Sequence, residues 1–296
     1  MVAQKHSALA PPERGRFMNF RKARRYAAVL LALTIVAAPR AQENADAARR
    51  KAFDAILDTY VRDGFVYYRA LKSDRHRFDA YLAQVAAASI DSEPREAQIA
   101  FWLNAYDALV LDTVIDHYPI PSRSAEYPQH SIRQIPGAFE RTPHRVAGRT
   151  VTLDQIEQTI LSTFHDPRLY FAIGRGAVGG GRLRSEAFAP ERLEAQLAEV
   201  AAECASRPQC VQVDREQNKL MANAIFSWRE KDFVAAYASA AREPFQERSE
   251  LERAVLGFVW PRMLTTEKEF LSKNQWQMTF KPFDWSLNDL TGRGGR

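Results

Sequence analysis

The chain is poor in the residues that most often carry chemistry. Cys204 and Cys210 are its only cysteines. His117, His130, His144 and His165 are scattered, with no metal-ligand spacing such as H-E-x-x-H, so no metal is expected, and no cofactor either. Asp112 and Asp116, one helical turn apart beside His117, read as a solvated helix face. No G-x-S-x-G elbow marks a serine hydrolase. No apolar run reaches the roughly 20 residues that a membrane-spanning helix needs; the run from Ala27 to Ala38 has twelve.

A cationic excess is also missing from most of the chain. The net charge is +5 over 296 residues. Eight cations against Glu13 alone give residues 1–41 a local +7, which leaves −2 for the remainder. A slightly acidic body has no generic attraction for phosphate backbones, so no nucleic-acid partner is expected. The basic "RKARRY", the apolar run after it and the small Ala41 read instead as a secretory signal, with Met18 as a candidate true start. Pro39 sits where such a site prefers a small residue, so an uncleaved segment anchored in the membrane is the alternative. Residues 1–41 are thus expected to be an N-terminal extension of an exported, periplasmic or secreted protein. In such a chain Cys204 and Cys210 suggest a local disulfide. Two packed thiols are the alternative, because Cys204 continues the Leu193/Leu197/Val200 stripe of a helix.

What is present is ordinary globular material, 46% hydrophobic and 26% charged. Helices are predicted over 44–62, 74–88, 190–204, 223–240 and 246–263, and extended pieces at "FVYYRAL", "LYFAI" and 211–214. The clearest helix precedes Pro119, capped by Asp91 or Ser92. Ile99, Leu103, Tyr106, Val110 and Val114 repeat along it at helical spacing. Trp102, Leu109 and Ile115 widen its apolar face until the helix must be buried nearly all round. Asn104 inside that run is then a buried amide that must be hydrogen-bonded, with a neighbouring loop as its expected partner. "HRVAGRTV" reads as a strand pair around Gly148, and Thr152 with Gln155 as a capping box. His165-Asp166 reads as a structural helix end. "TFKPFDWSLNDL" closes the fold as extended chain, with Asp284, Trp285 and Asn288 expected to close the core or line a groove. "TGRGGR" reads as a disordered tail over 291–296. With no repeat or linker, residues 44–290 are expected to form one helix-rich α+β domain with a small sheet.

"FAIGRGAVGGGRLR" raises a separate question, because Gly174, Gly176 and Gly179 spell the dinucleotide fingerprint G-x-G-x-x-G. That motif must open a helix whose N-terminus faces the pyrophosphate, with an acidic residue ending a second strand about 20 residues on. "GGRLRSEAFAP" has no helical period, and the residues about 20 on fall inside the predicted helix 190–204. Nor does a Gly-Lys-Ser/Thr follow. A turn of unusual backbone geometry explains the glycines better than a nucleotide does.

"FWLNAYDALVLDTVIDHYP", "GRTVTLDQIEQTIL", "DPRLYFAI" and "KPFDWSLN", in this order and after "DGFVYYRAL", resemble the bacterial family catalogued as domain of unknown function 547 (DUF547). The likeness runs from about 50 to 290. It implies an often exported protein of largely undefined activity, on a fold distantly similar to papain-like and transglutaminase-like thiol enzymes. The family pattern over the glycine-rich stretch is similar to I-H-F-A-L-N-C-A-S-x-G-C-P-P-L. Here Tyr170 stands at the imidazole position, Arg175 at the first thiol, Gly180 at the second and Gly181 at the proline after it. Gln158 replaces a second histidine. The chain thus reads as a variant lacking the family's cysteines. Thiol catalysis needs a thiolate and a base. Arginine is neither, and tyrosine is a poor base at neutral pH.

One acidic group survives in that region. Glu157 lies between Leu153, Ile160 and Phe164 on a helical stripe and is expected to point inward. A buried carboxylate needs a partner or neutralises itself. Arg175 is the first candidate, with Arg182 or Arg184 second; a backbone turn capped by Glu157 and a solvated Arg175 are the alternative. Three functions are open on these residues. The first is a catalytically degenerate binder of a peptide-like or small anionic ligand, with Arg175, Glu157, Tyr170 and Arg182 around it. The second is a hydrolase or transferase with Glu157 as base and Tyr170 as acid. The third is a structural or partner-binding envelope protein.

Overall fold

A computed structural model describes residues 45–241 and 244–291. The signal segment, Met18 and Ala41 lie outside the described residues, as does the tail beyond Thr291. The chain separates into Met1–Ala47 and Ala48–Arg296, and the fold is that of the second unit. Among the described residues no helix is long and apolar enough to cross a membrane.

Among the described residues helix α1 covers 45–60. A two-residue hairpin comes next, β1 (Val61–Arg62) and β2 (Phe65–Val66), then α2 (Tyr68–Ser73) and α3 (His76–Ala87). "FVYYRAL" is therefore extended only at Phe65–Val66; from Tyr68 it is helical. Helix α4 (Arg95–His117) is buried on nearly every side from Ile99 to Ile115, as its all-round apolar pattern requires. Its cap is not the expected Asp91 or Ser92: it begins after Pro94 with no side-chain cap. Proline suits that place, because the first turn leaves its N–H groups unpaired in any case. The hairpin β3 (His144–Val146) and β4 (Arg149–Val151) turns at Ala147-Gly148.

Helix α5 spans Leu153–Phe164 and changes pitch twice: one α turn, a π segment over Ile156–Ile160, and a 3-10 turn over Leu161–Phe164. "LYFAI", expected as a strand, is the short helix α6 (Leu169–Ala172). A short apolar run looks the same in either state, and the start signal is Asp166-Pro167. Asp166 accepts from the Leu169 N–H through its carbonyl (3.1 Å) and from the Arg168 N–H through its carboxylate (3.0 Å). His165 ends α5 with φ 53°.

The second half adds α7 (Leu193–Ser206), β5 (Val211–Asp214), β6 (Lys219–Asn223), α8 (Ala224–Trp228), α9 (Glu230–Tyr237), α10 (Glu250–Val259), α11 (Thr265–Lys273) and β7 (Gln277–Lys281). Neither β6 nor α11 is expected from the pattern. β5 and β6 pair antiparallel, and β6 and β7 pair parallel with Leu220 beside Met278. The fold is thus α+β, helix-rich with small sheets. Phe171 of α6, Phe226 of α8, Phe233 of α9 and Phe258 of α10 meet ring to ring at 4.7–5.8 Å. This cluster fixes α6 and α8 beside each other, and with them the residues at their ends. After β7 the chain stays extended, pairing Leu287 with Ala177 and Asp289 with Val66.

Candidate functional site

Local chemistry sets the site's first residue. Thr152 accepts from the Gln155 N–H (3.2 Å), and the Gln155 side chain accepts from the Thr152 N–H (2.9 Å), which fixes where α5 starts. The π segment then adds one residue to the turn, and Glu157 lies in it, 7% exposed. Such single π turns recur at functional sites.

Arg175 arrives from the loop after α6 and is 2% exposed. Asp107 of α4 holds that loop by accepting from the Gly174 N–H at 2.7 Å. Further along, the Val178 and Gly179 N–H groups donate to the carbonyls of Ser286 (2.9 Å) and Asp284 (2.8 Å). The Asn223 amide donates to the Gly179 carbonyl (2.8 Å). This close approach explains two of the glycines, Gly179 and Gly181. A Cβ at Gly181 would sit 1.8 Å from the Phe171 carbonyl oxygen, and one at Gly179 would sit 2.5 Å from the Asp284 nitrogen. At Gly179 and Gly181 backbone presses on backbone, Gly176 adopts φ 64°, and no helix opens from the loop.

Three chain segments converge on the Glu157 carboxylate. Arg175 grips it with two bonds, Nη2 to Oε1 (2.8 Å) and Nε to Oε2 (3.1 Å). Its third donor, Nη1, reaches the Tyr170 carbonyl (2.9 Å). Arg229, just past α8, donates Nη2 to Oε1 (2.9 Å) and stacks its guanidinium 4.2 Å from the centre of the Tyr170 ring. Tyr106 of α4 donates its hydroxyl to Oε2 at 3.3 Å. Burial alone would raise the carboxyl's pKa. The charge and hydrogen bonds of Arg175, then of Arg229, outweigh burial and hold it down at about 2. Asp107 goes the other way: complete burial raises it well above the usual carboxylate range, against the Gly174 N–H and the Arg175 charge. The Tyr170 hydroxyl is also raised, chiefly by burial.

These shifts limit the chemistry. A carboxylate held down near 2, with both oxygens engaged, is a weak proton acceptor at neutral pH. A phenol raised above its ordinary value keeps its proton more tightly. The Glu157–Tyr170 pair is therefore poorly matched to acid–base work.

Beside this ion cluster opens a cleft of about 400 Å³. Tyr127, Phe139, Trp228 and Trp285 form its aromatic walls, with Trp228 49% exposed. Its polar lining is Arg133, Asp154, Gln158 and the cluster of Glu157, Arg175 and Arg229, so three guanidiniums face two carboxylates. Arg133 pairs with Glu140 and lies 4.5 Å over both the Phe139 and the Trp285 rings. Burial raises Asp154, helped by the charges of Glu140 and Glu157.

The structure brings Glu157, Tyr170, Arg175 and Trp285 to one place. Arg182 is not among them: it pairs with Asp63 (3.1 Å) and Glu203 (2.9 Å). There it lines a small separate pocket with Cys204 and Cys210, which form a disulfide. Arg184 is taken by Glu186 and Glu199, both at 2.5 Å. The Asn104 amide donates to the Phe188 carbonyl (2.9 Å) and accepts from its N–H (2.8 Å), tying the loop before α7 to α4. Asn288 is buried, accepting from the Tyr68 hydroxyl and donating to the Gly64 carbonyl. Asp284 caps the Ser286 N–H. Arg75 occupies the acidic helix face, against Asp79, Asp112 and Asp116. Among the described residues no group of three or more His, Cys, Asp or Glu is placed to hold a metal ion.

Sequence reasoning missed Asp107, Arg133, Asp154, Trp228 and Arg229. A signal existed for two of them. Asp107 sits on the buried stripe of α4, and Asp154 is three residues before Glu157, hence on the same helix face. Arg229 had none, because only the docking of α8 against α6 brings it near.

An α+β fold with an arginine-lined, aromatic-walled cleft is what the residues build. The model of the family described as "Protein of unknown function, DUF547" matches residues 90–203, which supports assigning the chain to that family. The match contains Glu157, Tyr170 and Arg175 but ends before Trp228, Arg229 and Trp285. No curated protein and no solved structure matches the chain.

Proposed function

We propose that this is an exported, catalytically degenerate member of the DUF547 family that binds a small anionic or peptide-like ligand in the cleft. One observation carries the reading: the Glu157 carboxylate, beside the former thiol position, is locked between Arg175 and Arg229. It serves as a counter-ion for two guanidiniums and not as a base. Arg229 makes a single side-chain hydrogen bond among the described residues, to Glu157. Its guanidinium also lines the cleft, and guanidinium recognises a carboxylate or phosphate in two-bond fashion. Export agrees with the basic-then-apolar start, and the Cys204–Cys210 disulfide suits an oxidising compartment.

A thermal-shift screen of the full chain tests this with succinate, phosphate and glutamyl dipeptides. Binding to the folded state alone raises Tm. The expected result is a rise with anions, absent with neutral analogues and absent in Arg229→Gln, which leaves Glu157 its two-bond partner. No shift with any anion, or an equal shift in Arg229→Gln, contradicts the anion site. Ester or amide turnover that disappears in Glu157→Gln contradicts the degenerate reading.

A further inference from the structure

The cleft wall narrows the ligand class, and this step rests on the anion site just proposed. Trp228 and Arg229 are neighbours in sequence but face different surroundings. The indole is 49% exposed at the lip, whereas the guanidinium is buried at the floor. Trp228 lies nearly parallel to Trp285 (20°, 6.3 Å) and is backed by Phe283 at 4.9 Å. Trp285 is itself hemmed in by Tyr127, Phe139, Phe283 and the Arg133 guanidinium. Trp228 is therefore the ring left open to a ligand. An exposed large indole, held rigid from behind, presents a flat apolar face beside a cation.

A ligand that satisfies both carries a negative group for Arg229 and a flat face of C–H groups for Trp228. The third constraint is Asp154. Its carboxylate lines the same cleft, half-buried, and no hydrogen bond reaches it among the described residues. Gln158 stands one turn further along α5. A purely aromatic acid would cover these polar groups and leave them unpaired, which disfavours it. A ring bearing hydroxyls supplies donors to Asp154 and both donors and acceptors to Gln158.

We infer that the cleft binds an acidic sugar, its carboxylate on Arg229, one ring face on Trp228, and its hydroxyls on Asp154 and Gln158. A cleft of about 400 Å³ lies within the usual range for small-molecule sites and exceeds the needs of a bare inorganic anion.

Calorimetric titration of the full chain with D-glucuronate, a galacturonic acid trimer, D-glucose, succinate and a glutamyl dipeptide tests this. Glucuronate is expected to bind at least about tenfold more tightly than glucose and succinate. Trp228→Ala, a surface change, is expected to lower glucuronate affinity about tenfold while leaving Tm nearly unchanged. Asp154→Asn is expected to weaken glucuronate but not succinate. A trimer that binds more tightly than the monomer points to a polysaccharide source, and equal affinity to the free sugar; both support the assignment. Succinate or the dipeptide binding as tightly as glucuronate, with Trp228→Ala unchanged, overturns the sugar while the anion site stands. Binding of none of the four anions overturns both.

Discussion

Arg229 donates Nη2 to Oε1 of Glu157 at 2.9 Å across 72 residues of sequence. The contact joins the end of α8 to the π turn of α5, with Arg175 already holding both carboxylate oxygens. A buried carboxylate with one guanidinium is a neutral pair. With two, the second guanidinium is shared with the Asp154 carboxylate that lines the same open cleft.

Removing either arginine separates their roles. Arg175→Met strips the carboxylate of its two-bond partner and is expected to cost about 3–5 kcal/mol, the usual consequence of breaking a buried pair from one side. Arg229→Gln leaves that pair intact and is expected to cost about 1.5–3 kcal/mol, the scale of one charged hydrogen bond. Urea unfolding followed by ellipticity measures both. An equal loss for the two variants contradicts the ranking.

Acid stability depends on the same carboxyl. Its folded pKa of about 2 lies below the ordinary 4.5, so the unfolded chain binds the proton more readily. The stabilisation is fully present above about pH 4.5 and is lost as the pH falls towards 2, on the order of 3 kcal/mol. Unfolding free energy measured over that window is expected to fall more steeply in the native chain than in Glu157→Gln. Parallel curves contradict it.

Gly181→Ala is expected to destabilise by more than about 3 kcal/mol, because the new methyl meets the Phe171 carbonyl oxygen at 1.8 Å and backbone must move. If the glycines were there only for flexibility, the change would cost about 1 kcal/mol or less. Thermal unfolding of the variant decides between them.

The Cys204–Cys210 bond closes a loop across a sequence separation of 6. A loop of that size restricts the unfolded chain modestly, so replacing both cysteines with serine is expected to lower stability by about 2 kcal/mol and to leave anion binding unchanged. The pair lines a pocket away from Glu157. Loss of anion binding in the double variant contradicts that separation.

Much of this fold is legible because one periodic signal dominates it. α4 declares itself by a face too wide to expose, and Asn104 by standing inside it. The capping box at Thr152 places α5, and the inward stripe places Glu157. "LYFAI" reads as a strand because five apolar residues carry no period, and the deciding signal, Asp166-Pro167, precedes them. The parallel pairing of β6 with β7 depends on chain separated by several helices, which no local pattern encodes. Arg175 is found through the resemblance and the need of Glu157 for a partner, whereas Arg182 is misplaced because Asp63 and Glu203 are not visible in the sequence as its neighbours. Arg229 and Trp228 belong to the site through tertiary docking alone.

The most direct measurement is the titration of Glu157 itself. The carboxyl-carbon resonance of Glu157, assigned by comparison with Glu157→Gln in ¹³C-labelled protein, can be followed downward from neutral pH. A carboxylate locked between two guanidiniums stays ionised until the pH nears about 2. A midpoint at or above the ordinary 4.5 would mean a carboxyl free to take protons, and the counter-ion role of Glu157 would be wrong.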